Sequence, residues 1–493
     1  MKITSSYKVQ IKQPNHLFDD TVRIYRDAVN FLISVCLDHW NEISALNGML
    51  LQKSYVESIV HQTKEHPAPL YDFDTRFYKF PSYLRRDAIA CAIGKVSSYS
   101  SNLANWKASD PKTRGAEPGL PKTGFQFPCL YKTAMYDRTS DYECRIKVWI
   151  RNTWDWATVS LRKSDIDYIR RYCADRKECA PILQKRGKRW FLRFCFEETQ
   201  TLSDTDIFHQ RIVAVDLGVN HCCVCSVMRS DGTIIGRHFL RLPEEYDCLK
   251  RKTDHIRRAQ SHGARSVKKL WKFADGVNND IAVKTAQFII DVAVLYQADV
   301  IVMEHLDVRQ PSKKASKRKR RSKGMKLHLW KSQAVQRILE GKAHRLGIHI
   351  VRVCAWGTSR LAFDGSGMVL RGNESAKTNG NYSLCEFQNG KVYHCDLNAS
   401  YNIGARYFIR EFGKSIPATE WQCIAAKVPE CMKRSTCTLS TLCSICSVLY
   451  ESSYNGTAGN DRWAASGCAV MSGRWVMISR RWAASGIAQT VGK

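Results

Sequence analysis

Two short runs restrict the fold of this chain more than anything else in it. "RIVAVD" (211–216) and "DVIVME" (299–304) are almost wholly apolar, rich in Val and Ile, and each ends on an acid. Such runs read as buried strands, so a covered sheet lies in the second half of the chain. Asp216 and Glu304 are the acidic exceptions in their settings. A third acid, Asp396, opens "DLNASYNIGARYF", where Leu397, Tyr401, Ala405, Phe408 and Phe412 make one apolar helical stripe. Singly, each acid has a plain explanation: Asp216 forms a turn, Glu304 is a strand-end surface charge, and Asp396 caps its helix. Beside a core, however, unpaired carboxylates are costly, and cations are efficient partners for them.

The surrounding elements place these acids. From Arg211 the pattern gives three strands, a long charged helix through "LKRKTDHIRRAQSHGARSVKKLWK", an amphipathic helix, the "DVIVM" strand, a basic linker, another helix, a strand, a turn-rich segment and the Asp396 helix. The order β-β-β-α-β-α-β-α matches a ribonuclease H-like mixed sheet with helices on its faces. Upstream, "SSYKVQIKQ" alternates as a strand does. Helical spacing follows in "TVRIYRDAVNFLISVCLDHW" and in a helix opened by Pro81, and strand character returns in "ECRIKVWIRNTWDWATVSLR" and "KRGKRWFLRFCFEE". The expected organisation is multidomain α+β. A β-barrel-like (OB-like) wedge domain spans 1–16 and 124–200, a helical recognition domain is inserted at 17–123, and the nuclease-type sheet domain covers 209–412. A poorly ordered tail, 413–493, repeats "RWAASG".

The chain has 493 residues, and its 76 Lys and Arg against 46 Asp and Glu give a net charge of +30. That excess calls for a polyanion, with nucleic acid ahead of a membrane surface. No apolar run approaches a membrane span and no signal-peptide centre is visible, so a bacterial cytosolic, nucleic-acid-associated location is expected. Twenty cysteines then imply reduced thiols. Cys222 and Cys225 read as core residues. Cys443 and Cys446, with Cys431 and Cys437 upstream, have irregular spacing for zinc and read as free thiols.

"VAVDLGVN", "IVMEHL" and "HCDLNASYNIG" resemble, in order, the three RuvC nuclease motifs of TnpB-like proteins, transposon-encoded RNA-guided DNA endonucleases related to compact type V CRISPR effectors. The resemblance runs from about Arg211 to Phe412 and extends less specifically to the N-terminal half. It implies that Asp216, Glu304 and Asp396 form the catalytic, metal-binding triad, holding two Mg²⁺ ions through oxygen ligands. It also implies a guide RNA and a double-stranded target DNA with a short flanking motif as partners. One departure concerns zinc. Relatives carry two cysteine pairs in the insert at 357–395, whereas here Thr358-Ser359 leads into "RLAFDGSGMV" and only Cys385, Cys395 and His394 remain. The insert is therefore expected to be a degenerate, zinc-free hairpin that contacts target nucleic acid, turning at Asn389-Gly390.

Candidate nucleic-acid contacts complete the reading. In the Pro81 helix these are Tyr83, Arg85, Arg86, Tyr99, Asn102 and Trp106, which can grip a backbone and stack on bases. In the charged helix they are Arg257 and Arg258; after "WGTS", Arg360. In the run from Lys313 to Lys326, with nine basic residues and no acid, they are Lys317, Arg318, Lys319, Arg320 and Arg321. Two other functions fit the same motifs: an RNA-guided DNA-binding regulator that cleaves little or not at all, and a transposase-associated strand-transfer protein.

Overall fold

The computed structural model describes residues 1–12, 16–64, 66–111, 114–218, 222–264, 266–305 and 332–455, excluding the side chains of 452–455. Lys317, Arg318, Lys319, Arg320 and Arg321, and the tail beyond 455, lie outside the described residues. The chain divides into two units, Met1–Thr199 and Gln200–Lys493.

The first unit opens on strand β1 (Lys2–Gln10) and continues through helices α1 (Leu17–Asp38), α2 (Trp40–Ala45), α3 (Met49–Val60), α4 (Phe73–Arg76) and α5 (Ser82–Ala108). Pro81 sits at the N-cap of α5, just before the first turn. Strands β2 (Tyr136–Arg138), β3 (Glu143–Ile150) and β4 (Thr153–Ser160) follow, then helix α6 (Lys163–Cys173), β5 (Lys177–Glu178), β6 (Ile182–Arg186) and β7 (Arg189–Thr199). Helix α6 is not anticipated from the sequence; it buries Ile166, Ile169 and Cys173 along one side.

The expected barrel is corrected to two open sheets among the described residues. One is built on β7, with β1 on one side and β5 and β6 on the other, and the second is the meander β2-β3-β4. Among the described residues one isolated bridge, Ile11 with Leu161, links the ends of the two sheets. The ladder does not propagate because the chain leaves β1 at Ile11, whose N–H bonds to Trp190 at 2.9 Å while that of Lys12 turns to Ser160 at 2.9 Å.

The second unit begins with β8 (Arg211–Asp216), β9 (Cys223–Arg229) and β10 (Ile234–Leu240). Helices α7 (Pro243–Ser261) and α8 (Lys268–Leu295) come next. The single long charged helix expected here is thus broken: Gly263 takes φ +78°, a left-handed conformation that ends α7. After β11 (Val300–Glu304) come α9 (Ser332–Arg345) and β12 (His349–Val353). A small sheet of β13 (Leu370–Arg371), β14 (Leu384–Glu386) and β15 (Val392–His394) leads directly into α10 (Cys395–Ser415). Its β14-β15 hairpin turns with Gly390 at φ +80°.

The main sheet has the order β10-β9-β8-β11-β12. Its first three strands pair antiparallel, and β8, β11 and β12 pair in parallel. Alternation explains the continuous apolar runs. Val213, Val215, Ile301 and Met303 face α8 and α9, while Ile212, Ala214, Val300 and Val302 face α10. Leu397, Tyr401, Ala405, Phe408 and Phe412 of α10 are all buried. Gly404 lets the helix approach, since a Cβ there would meet Met228 at 2.9 Å and Ala214 at 3.2 Å.

Within the stretch 413–493, expected as a poorly ordered tail, the described residues run to 455 and include two helices. Residues 418–455 form α11 (Ala418–Lys427) and α12 (Leu439–Asn455), and Leu442, Ile445 and Leu449 bury against the α10 side of the core. Cys431 and Cys437 are buried in the same layer, and the Cys437 thiol lies 3.4 Å from the Lys433 carbonyl.

Candidate functional site

Asp216 and Glu304 close β8 and β11, which run parallel with Val215 opposite Met303. The register therefore sets the two acids side by side at the C-terminal ends of two neighbouring interior strands. By alternation both take the face covered by α10, and Asp396 lies in the first turn of that helix. It is not the cap expected from the sequence: His394 is the N-cap, and its Nδ1 accepts the Asp396 N–H at 3.2 Å. An acid within the first turn still gains from the positive end of the helix dipole.

The electrostatics follow from this convergence. Burial first, then the charges of Glu304 and Asp396, push Asp216 well above the usual carboxylate range, with Arg371 opposing. Burial also raises Glu304, against a hydrogen bond donated by the Thr358 hydroxyl and the charge of Arg406. Among the described residues, no three His, Cys, Asp or Glu side chains close tightly enough to make a ready metal cluster. The donor set nonetheless fits a hard divalent cation, being carboxylate oxygens whose mutual repulsion positive charge relieves.

Several residues that support the site escape sequence reasoning. Asn398, Asn402 and Arg406 lie four apart on α10 and are buried. The Asn398 amide donates to the Leu361 carbonyl at 2.8 Å, and that of Asn402 donates to Thr358 at 2.9 Å and Leu361 at 2.8 Å. Arg406 donates to Cys354 at 2.7 Å, Trp356 at 2.8 Å, Ser435 at 2.9 Å and Cys437 at 3.1 Å. This polar ladder fixes the 354–361 segment, and Thr358 in turn holds the Glu304 carboxylate. The visible signal was the i, i+4, i+8 spacing of polar groups inside an apolar helix. Arg371 donates to Ser359 at 3.1 Å, and its buried Nε has no partner among the described residues.

The proposed nucleic-acid contacts separate into several groups. Arg85 is corrected to a structural residue: it is buried, 3.0 Å from Glu57 and 3.9 Å from Asp74. Arg86 is exposed and 3.3 Å from Glu57. Tyr83 is exposed, with its ring 5.4 Å from that of Tyr131. Tyr99 and Asn102 line a shallow groove with Lys95 and Lys122. Trp106 donates to Gly115 at 2.8 Å, and Arg114 covers its ring at 3.9 Å. Arg257 and Arg258 are exposed on α7, Arg257 lying 3.2 Å from Asp254. Arg360 forms a two-pronged pair with Glu374, at 2.6 and 3.0 Å. In the insert, Cys385 and Cys395 are buried beside each other, and the Cys385 thiol lies 3.5 Å from the Tyr393 carbonyl.

No described helix is long and apolar enough to cross a membrane. Residues 5–150 match the Aq_aa04 family. An uncharacterized protein, aq_aa04, from Aquifex aeolicus (strain VF5) is 37% identical over 78 residues, 16% of this chain and 43% of that protein. The match thus spans less than half of that relative's length. Among solved structures, the chain is similar to a Cas12f1–sgRNA–target DNA complex (TM-score 0.46, 16% identity, 78% of this chain and 81% of that one). It is also similar to CasPhi-2 (Cas12j) bound to crRNA and phosphorothioate-DNA (TM-score 0.40, 10% identity, 82% and 91%). A third is C2c1 of Alicyclobacillus acidoterrestris with single-guide RNA (TM-score 0.36, 10% identity, 79% and 66%).

Proposed function

We propose that the chain is an RNA-guided DNA endonuclease with a single ribonuclease H-like, RuvC-type site made by Asp216, Glu304 and Asp396. One observation carries the reading. The parallel register of β8 and β11 sets two acids on the face where α10 presents a third. The three RuvC-like motifs and the +30 charge supply the guide RNA and double-stranded DNA as partners.

The residues divide the work. Asp216, Glu304 and Asp396 would hold Mg²⁺, which when bound lowers the pKa of water and neutralises charge developing on phosphate oxygens. Thr358 holds one Glu304 oxygen so that the carboxylate meets its ligand in a fixed orientation. Arg371, beside Asp216, supplies positive charge at the rim for a phosphate. The 357–395 insert and the basic run of 313–326 contribute contacts to target nucleic acid.

Purified protein with its co-purifying RNA, given target DNA and Mg²⁺, is expected to cut, and Asp216→Ala to abolish cutting while RNA stays bound. Undiminished cutting by that variant would overturn the assignment. A second reading keeps the same partners and is guided DNA binding with little cleavage. It predicts target binding but no product for the wild type in the same assay.

A further inference from the structure

The sheet built on β7 is covered on one side and bare on the other among the described residues. Along β1, Ile3, Ser5 and Val9 are buried, while Lys2, Thr4, Ser6 and Lys8 are exposed. Along β7, Trp190, Leu192, Phe194 and Phe196 are buried, and the residues that alternate with them are not. An antiparallel sheet can turn one polar face to water, but this face is cationic rather than merely polar. Lys8 lies opposite Arg193 across the β1-β7 ladder, and Arg186 lies opposite Arg189 across the β6-β7 ladder. Strands β1 and β6 contain no acid. The acid that β7 sends to this side, Glu197, lies 3.9 Å from Lys177 of β5.

Like charges directly opposite each other on neighbouring strands destabilise a sheet. Here the repulsion is felt: burial first, then the charges of Arg186 and Arg193, hold the Lys8 ammonium below the usual lysine range. A polyanion laid across the face removes that cost. Between the two cationic rows stands Phe191, on the central strand, with Gln10 of β1 on one side and Gln184 of β6 on the other. Its ring is half-buried and takes no part in the core that Trp190 and Leu192 join on the opposite side. A ring on the central strand of an open sheet, with amides beside it and cations around it, suits unpaired bases that stack while their phosphates run past the cations. A duplex keeps its bases closed to a flat face, and an apolar partner leaves the cations unanswered. Target DNA comes and goes, whereas a guide RNA stays with the protein. RNA is therefore the occupant that relieves the repulsion in the resting state.

We propose that the bare face of the β1-β7-β6 sheet holds an unpaired stretch of the guide RNA, with a base stacked on Phe191 and phosphates met by Lys8, Arg186 and Arg193. The site rests on the RNA-guided reading above but uses none of its carboxylates and needs no cleavage.

The full chain tests it, first with its co-purifying RNA and then stripped of it by high salt. The double variant Lys8→Ala with Arg186→Ala should release the co-purifying RNA at lower salt than the wild type. By fluorescence anisotropy with labelled oligouridine, it should also reduce the log–log salt slope by about 1.4, two phosphate contacts at ~0.7 each. Phe191→Leu keeps apolar bulk but removes the flat ring, and should weaken oligouridine binding about 5- to 150-fold with duplex RNA affinity unchanged. Freed of RNA, the double variant should melt no lower than the wild type, because it removes repulsion rather than a bond. Wild-type RNA retention and slope in the double variant overturn the site, as does an equal loss on duplex RNA, or a loss seen with oligothymidine and not with oligouridine. Lys8 and Arg186 are exposed, so if Phe191→Leu fails to fold by circular dichroism, the double variant decides alone. A wild type that carries no RNA would sink the guided reading and this site with it; RNA held equally by wild type and variants would sink only this site.

Discussion

At Asp216 the fold has placed a carboxyl where its ionised form is disfavoured by burial and by two neighbouring acids. Its folded pKa therefore lies above its unfolded one, so its contribution to stability is fullest below the ordinary Asp range and is lost as pH climbs through the raised value. In EDTA, Asp216→Asn should flatten that decline and raise the Tm near neutral pH by about 2–4 °C, the shift that ~1 kcal/mol makes in a domain of this size. Thermal melts from pH 5 to 8 check this. Thr358 acts on the neighbouring acid. Thr358→Val should lower cleavage about 10- to 100-fold, the worth of a hydrogen bond to a charged group, and raise the Mg²⁺ concentration needed, as read from a metal titration of rate. The three acids were legible in the sequence because each interrupts an apolar pattern. Thr358 was not, because its partner is 54 residues away and only the fold brings them together. Arg85 misled for the opposite reason: a basic residue beside an exposed tyrosine looks like a surface contact until its acids, Glu57 and Asp74, are seen.

Helix α10 carries two patterns at once, and only the apolar one is read by periodicity. The stripe from Leu397 to Phe412 seats it on the sheet; the ladder of Asn398, Asn402 and Arg406 ties down a segment with no regular structure of its own. Asn402→Ala removes two donated bonds and the one accepted from the Leu439 N–H at 3.2 Å. At roughly 1 kcal/mol for each, it should cost about 3 kcal/mol in urea unfolding and release Thr358 from its place beside Glu304. Gly404→Ala drives a methyl into Met228 and Ala214 and should cost about 1–3 kcal/mol. The break between α7 and α8 was harder to foresee, since charge runs continuously through it and one glycine with positive φ decides it. Helix α12 was misread as tail because Ser, Thr and Cys dilute a stripe, Leu439, Leu442, Ile445 and Leu449, whose three- and four-residue steps are regular once sought.

Over the whole chain, the order of sheet and helices in the second unit was legible because apolar strands must be covered on both faces. The two open sheets of the first unit were not, since closure depends on where β1 lets go of its neighbour. Truncation tests the contribution of α12: a chain ending at Thr438 exposes the face that Leu442 and Ile445 cover and should aggregate on expression, as size-exclusion chromatography would show. The net charge makes its own prediction: affinity for nucleic acid should fall linearly on a log–log plot against salt, with a slope that counts displaced counterions. The Arg406 guanidinium joins carbonyls from 354 and 356 to others from 435 and 437. A ribosome must therefore have released the chain as far as Cys437 before all four of these bonds can form. A shorter polypeptide, even with all three acids already translated, lacks the Ser435 and Cys437 carbonyls that complete this brace.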